Sequence, residues 1–239
     1  MLRIFSAAYL LFFILSSSIL YPIALLVWLC TAWWDRRLYI LHLYSCLWGS
    51  LYLWVNPFWK VRVSGRENIE PGKAYVMVSN HQSLLDILLI YRLFAHFKWV
   101  AKAELFRVPF VGWNMKLNRY IGLRREDTIS IRQMMADCRT ALENGSSVLL
   151  FPEGTRSADG KLGTFKAGAF ILAKKAKAPL LPIAIDGTAK AIPKGRLVIA
   201  RGRILSLTVL PEIPQEAVDR LSTKELIDLC RSRIEAAIG

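Results

Sequence analysis

Charge is missing where a soluble chain would carry it. Of the 239 residues, 4–34 and 38–59 contain no Asp, Glu, Lys or Arg; only Asp35, Arg36 and Arg37 separate the two stretches. Each exceeds the roughly 20 residues that cross a bilayer core as a helix. Six of the eight tryptophans lie in residues 1–59, and Trp33, Trp34, Trp54 and Trp59 sit at the ends of the stretches, where interfacial aromatics collect. No clear small-residue cleavage site follows the first stretch, and it is too long for a signal-peptide core, so a cleaved leader is disfavoured. Acidic residues are also scarce: 18 against 32 Lys and Arg, a net charge of +14. The four cysteines (Cys30, Cys46, Cys138, Cys230) are scattered, with neither zinc spacing nor a disulfide framework. There are three histidines, no G-x-S-x-G elbow, no nucleic-acid motif, no internal repeat and no low-complexity segment. No metal, cofactor or nucleic acid is expected.

The remaining composition is apolar and basic. Hydrophobic residues make up 54% and the mean hydropathy is +0.33. Such a balance suits a basic domain held on a membrane, facing anionic headgroups or phosphorylated substrates. The expected division is a membrane-anchoring helical hairpin over 1–59 and an αβ domain over 60–239. Two full spans would carry Arg36 and Arg37 across the membrane, against the positive-inside bias. A monotopic hairpin in one leaflet keeps them in water, and Lys60, Arg62 and Arg66 place the domain on the cytoplasmic face of the inner or another membrane.

Residues 60–72 read as a linker. Strands are predicted at 74–79, 97–101, 120–123, 147–151 and 180–185, with two β-rich stretches in 196–209. Helices are predicted at 83–94, 128–143, 166–175 and 223–237, the first opening with Ser83 as N-cap and Asp86 completing a variant capping box. Alternating strands and helices predict an α/β fold: a mainly parallel mixed sheet flanked by helices, preceded by the two-helix anchor.

Ligands of such a sheet sit beyond the carboxyl ends of its strands. There the sequence places Asn80-His81, Lys102, Arg124-Arg125, the FPEGTRS block (151–157) and Asp186-Gly187. His81 and Asp86 are five apart, too far out of register to share a helix face. With His81 in the loop and Asp86 in the first helical turn, the carboxylate can orient the ring and leave its other nitrogen free to take a proton. Taken alone, the pair fits equally a capping aspartate beside a satisfied loop histidine. FPEGTRS alone fits either a phosphate-gripping Arg156 or a glycine turn braced by Glu153 and Arg156.

Together, NHQSLLD (80–86) and FPEGTRS (151–157) resemble the glycerolipid acyltransferase family, in particular its 1-acylglycerol-3-phosphate acyltransferases. KAELFRVPFVG (102–112) and LLPIA (180–184) resemble the family's other two blocks. The resemblance implies His81 as general base oriented by Asp86. It implies a substrate site drawn from Lys102, Arg124, Arg125, Glu153, Gly154, Thr155 and Arg156. Arg124-Arg125 stands where the family often has Asp-Arg, so either arginine could take the phosphate role. The implied reaction joins lysophosphatidate and an acyl donor, acyl-carrier protein or acyl-CoA, to give phosphatidate. Other lysolipid acceptors, or an inert lipid-binding relative, are the competing readings.

Overall fold

The computed structural model describes residues 2–157, 160–192 and 199–238. The chain opens with α1 (Leu2–Thr31) and α2 (Tyr39–Trp54), followed by β1 (Trp59–Ser64) and β2 (Val76–Ser79). Next come α3 (Leu85–Tyr91), β3 (Phe97–Lys102), a 3-10 segment (Ala103–Arg107), α4 (Val111–Leu117) and β4 (Ile121–Leu123). Then follow α5 (Thr128–Glu143), β5 (Ser147–Leu150), α6 (Gly168–Ala176), β6 (Leu180–Asp186) and the short α7 (Thr188–Ala191). β7 (Arg203–Val209), α8 (Gln215–Arg220) and α9 (Thr223–Ala237) complete it.

The strands form one sheet in the order β1-β7-β6-β2-β5-β3-β4. All neighbouring pairs run parallel except β6 and β7. Side chains alternate between its faces, as the strand pleat requires. Met77, Leu149, Leu181 and Ile183 join α2 and α3 in one core. Val76, Val78, Val148 and Leu150 join α5, α6 and α9 in the other. The central strands β2 and β5 are therefore buried on both faces, which explains their unbroken apolar runs.

Residues 60–72 are not a simple linker. β1 pairs in register with β7, Trp59 opposite Arg203 through Ser64 opposite Thr208. Its burial alternates, with Trp59 inside and Lys60 outside, as befits an edge strand. In 196–209, β7 is the single strand among the described residues; 196–198 lie outside them.

The second apolar stretch packs most of its surface against the domain, leaving Tyr39, Leu47 and Trp54 exposed. α2 has 16 residues, about 24 Å at 1.5 Å per residue, against a hydrocarbon core of roughly 30 Å. Cys46 and Leu53 lie in the core under the sheet. His42 is fully buried: Nδ1 lies 2.8 Å from the Tyr120 hydroxyl and Nε2 2.9 Å from the Ala95 carbonyl. Ser45 Oγ accepts from the side-chain amides of Asn114 (3.0 Å) and Asn118 (3.1 Å). A lipid-facing helix would have no such partners. The 35–37 turn is bound to the domain as well, since Lys98 Nζ and His96 Nε2 both donate to the Arg37 carbonyl, at 2.8 and 3.0 Å.

α1 is different. Its 30 residues are long and apolar enough to cross a membrane, and few are buried. Domain contacts are nonetheless spread along its length. Phe5 meets Phe58 edge-on at 4.7 Å, and the Tyr9 hydroxyl donates to the Tyr52 carbonyl. Ser16 and Ser17 lie 3.0 Å from the Tyr52 hydroxyl, Tyr44 donates to Leu20 O at 2.8 Å, and Tyr21 abuts Trp113 at 5.3 Å. The helix thus lies along the domain.

Burial and the nearby Lys98 hold His96 down at about 4, and burial holds fully enclosed His42 well below the usual range. The unfolded chain therefore binds more protons than the folded one between pH 6.5 and about 4, and stability falls as pH drops through that window. Denaturant titrations at several pH values should give a slope in this window that shrinks by about one proton in His96→Asn. An unchanged slope would exclude His96 as a contributor.

Candidate active site

The site is assembled where β2 leaves the sheet. Asn80 prolongs the pairing with β6 by one side chain: its Nδ2 donates to Ile185 O and its Oδ1 accepts from Ile185 N, both at 2.8 Å. This carries the chain to the carboxyl edge and presents His81 there. Gln82 Nε2 donates to Gly160 O at 3.2 Å, and Ser83 Oγ donates to Ile192 O at 2.9 Å. Backbone N–H and C=O groups that have left the sheet need partners, and the N-H-Q-S sequence supplies side-chain partners to the surrounding loops.

Asp86 lies in the first turn of α3 and is fully buried. Its Oδ2 accepts from His81 Nδ1 (2.8 Å), Gln82 N (2.6 Å) and Ser83 N (2.8 Å). Its Oδ1 accepts from the Thr188 hydroxyl. Of the expected capping box, the Asp86 half is present, closing on Ser83 N, while the Ser83 hydroxyl turns to Ile192 O. Leu84 is the N-cap residue, and the aspartate reaches back over the two buried N–H groups and the imidazole together. With Nδ1 donating to the carboxylate, Nε2 is the nitrogen left to accept a proton.

FPEGTRS supports this loop from beneath. Phe151 stacks on the His81 ring with centroids 4.0 Å apart and planes 12° from parallel. Glu153, 8% exposed, accepts from His81 N at 2.8 Å through Oε1 and from Gly163 N at 2.9 Å through Oε2. Burial raises its carboxyl above the usual range, while those two N–H donors pull it back. Ser157 N donates to His81 O at 2.9 Å. Gly154 adopts φ +70°, where a side chain is strained, and a Cβ there would stand 3.2 Å from Lys166 Nζ.

A cavity of about 530 Å³ opens beside the histidine. His81, Lys102, Arg125 and Gly154 line its polar end. The rest is mostly apolar, with Tyr9 and Phe13 from α1, Trp48 and Tyr52 from α2, and Leu88 and Tyr91 from α3, beside the polar Ser6, Ser45 and Asn114. Trp48 and Tyr52, spaced four residues apart in α2, are buried and hydrogen-bonded to each other at 2.8 Å, so packing and cavity lining coincide. Arg124 faces elsewhere and lines a small cleft with Ala103, Glu104 and Arg107. Glu153, Thr155 and Arg156 are not among the cavity-lining side chains; Thr155 is exposed and Arg156 half-buried in the same turn. Thr188 is not signalled by the sequence, and the contacts of Asn80 and Phe151, though both lie in the quoted motifs, are not signalled either. All three residues serve the site through contacts across roughly 70 to 105 residues, which local pattern does not carry.

A Cβ at Gly163 would stand 2.6 Å from Glu153 Oε2. Gly163→Ala should push that carboxylate off the His81 loop, lowering turnover by about tenfold or more while leaving the fold intact. Steady-state rates beside circular-dichroism melts check this, and wild-type turnover would show that Glu153 does not position the loop.

The Acyltransferase family model matches residues 60–186. The chain is 35% identical over 198 residues to a 1-acyl-sn-glycerol-3-phosphate acyltransferase of Chlamydomonas reinhardtii, covering 82% of this chain and 58% of the relative. It is 41% identical over 155 residues to a chloroplastic 1-acyl-sn-glycerol-3-phosphate acyltransferase of Arabidopsis thaliana, covering 64% and 43%. The chain thus spans about half the length of the curated relatives it matches. The crystal structure of the 1-acyl-sn-glycerophosphate acyltransferase PlsC from Thermotoga maritima superposes with a TM-score of 0.79 at 28% identity, covering 99% of this chain and 96% of that one. The matched region contains His81, Asp86, Lys102, Arg125 and the whole FPEGTRS turn, and this chain belongs to the acyltransferase family.

Proposed function

We propose that this protein transfers a fatty acyl group from a thioester to the 2-hydroxyl of 1-acylglycerol 3-phosphate, giving phosphatidate. One observation carries the reading: an imidazole oriented by a buried carboxylate stands at the junction of an apolar cavity and two cationic side chains. The volume lies within the usual range for small-molecule sites. Its two ends match the two ends of a lysophosphatidate, a hydrocarbon tail and a phosphate.

In the proposed reaction Lys102 and Arg125 hold the phosphate, and the apolar wall holds acyl chain. His81 Nε2 takes the proton of the acceptor hydroxyl as its oxygen attacks the thioester carbonyl carbon. The tetrahedral intermediate expels the thiolate, which recovers the proton from the imidazolium as the free thiol. Asp86 stabilises the imidazolium, and general-base help of this kind contributes about 10²–10⁴ in rate. Holding phosphate and tail together fixes the hydroxyl at attack distance and supplies much of the remainder. The donor is acyl-carrier protein or acyl-CoA. Glu153, Gly154, Thr155 and Arg156 act as the turn that supports His81.

The membrane reading rests on α1. Its contacts with the domain at Phe5, Tyr9, Ser17 and Tyr21 leave no free stretch of about 20 residues, which favours a helix lying in one leaflet over a span. The domain then sits on the cytoplasmic face, with lysolipid at hand and the donor arriving from water.

A panel of labelled lysolipids with both donors tests the reading directly. Lysophosphatidate should be the best acceptor; a stronger preference for a lysolipid without a phosphomonoester would replace it. Asp86→Asn should lower kcat by about 10²–10⁴ with little change in KM. Arg125→Ala should chiefly raise KM for lysophosphatidate, whereas Arg124→Ala should leave it near wild type.

A further inference from the structure

Some cavity-lining side chains are also open to solvent, and these locate its mouth. Leu10 of α1 (44% exposed), Leu84 before α3 (47%), and Leu105 and Val108 after β3 (38% and 44%) both line the cavity and face outward. Leu105 and Val108 belong to the segment between β3 and α4, and Trp113 (39% exposed) follows at the start of α4. Large apolar side chains exposed together on one surface mark an interaction site.

The segment is closely packed and joined to α1. Gly112 packs so closely on the 3-10 turn that a Cβ would stand 2.4 Å from Leu105 O. The Phe110 and Trp113 rings meet at 5.3 Å, and Tyr21 of α1 lies 6.3 Å from the first and 5.3 Å from the second. Half-buried Tyr21 and Phe110 thus link the apolar surface of α1 to this segment. Cations border it. Lys102 and Arg125 stand at the polar end of the cavity, and Arg107 and Arg124 line the adjoining cleft. Glu104 is the acid among them and pairs with Lys102 at 3.6 Å. Apolar side chains and tryptophan rimmed by Lys and Arg suit the boundary between acyl chains and anionic headgroups.

We propose that residues 103–113 form a second membrane-seating element, in which Leu105 and Val108 enter the leaflet beside Leu10 and Leu84 and open the cavity sideways to lipid. Arg107 and Arg124 then rest on headgroup phosphates, and an acyl chain passes from bilayer to cavity between apolar lips. The mouth is built from α1, the loop after His81 and the segment after β3, so the histidine lies close to lipid depth. This inference rests on the reading of α1 as membrane-seated, and the test separates the two.

Single cysteines are placed at Val108 and, as a second reporter in case the first perturbs folding, at Leu105, in full-length Cys30→Ser protein. Cys46, Cys138 and Cys230 are buried and spared by labelling under native conditions. An environment-sensitive fluorophore is attached, and the protein is bound to phosphatidylcholine–phosphatidylglycerol vesicles carrying quenchers on their acyl chains. Leu11→Cys on the exposed face of α1 reports the anchor, and Ile129→Cys at the start of α5 reports water. The 105 and 108 labels should shift blue and be quenched to at least about half the extent seen at 11, while 129 is unaffected. Quenching at 11 with both 105 and 108 left aqueous overturns the proposal and leaves the α1 reading standing. Aqueous behaviour at all positions overturns both. Shielding of 105 and 108 before vesicles are added also overturns it, since the segment would then be covered by protein.

Discussion

The architecture of the site depends on one buried carboxylate. Burying an ionised group without partners costs many kcal/mol. Asp86 offsets that cost with four donors: a ring nitrogen, two backbone N–H groups and a hydroxyl. Because the same oxygen serves the imidazole and both N–H groups, the start of α3 and the orientation of His81 cannot vary independently. Thr188 adds β6 to the arrangement: it follows Gly187, whose φ of +84° and approach to Ile204 O admit no side chain. The histidine is thereby held by elements from both sides of the central strand.

Glu153 plays the matching role on the other side. Its carboxylate accepts from the backbone of His81 and of Gly163, so the FPEGTRS turn and the NHQS loop are stitched into one structure. Two sequence blocks some 70 residues apart are thus halves of a single scaffold. The division of labour is physical: carboxylates enclosed by backbone donors set geometry, whereas Lys102 and Arg125, left with open faces toward the cavity, are available for a ligand.

The cavity owes its existence to the placement of α2. Were that helix in lipid, the core that it shares with α3 would lose Cys46 and Leu53, and the cavity wall beside His81 would lose Trp48 and Tyr52. Its polar atoms decide the matter. His42 and Ser45 find Tyr120, Ala95, Asn114 and Asn118, partners that hydrocarbon does not offer. α1 then lies over α2, and both helices reach the cavity, through Tyr9 and Phe13 of the first and Trp48 and Tyr52 of the second.

Much of this was legible beforehand where the information is local. α5 and α9 fall on their predicted ranges because amphipathic periodicity and capping signals agree: Asp127 and Ser222 accept from the first-turn N–H groups. The central strands were found as short apolar runs. β1 was read as a linker although Trp59, Val61 and Val63 alternate with Lys60, Arg62 and Ser64, since an alternation this short becomes a strand only through β7, some 140 residues away. α4 escaped as well, being seven residues with no side-chain cap. By itself the sequence determined which groups could meet: a histidine and an aspartate spaced across a helix start, a glycine turn with its glutamate, and cations after successive strands. These follow from residue type and short spacing. Tertiary structure alone decided that α2 belongs to the core, that Glu153 braces a loop, that Arg125 rather than Arg124 faces the cavity, and that Thr188 completes the carboxylate's shell. Each of those outcomes depends on which distant surfaces close over one another, and apolarity or charge in a linear string does not say whether a side chain will meet lipid, water or protein.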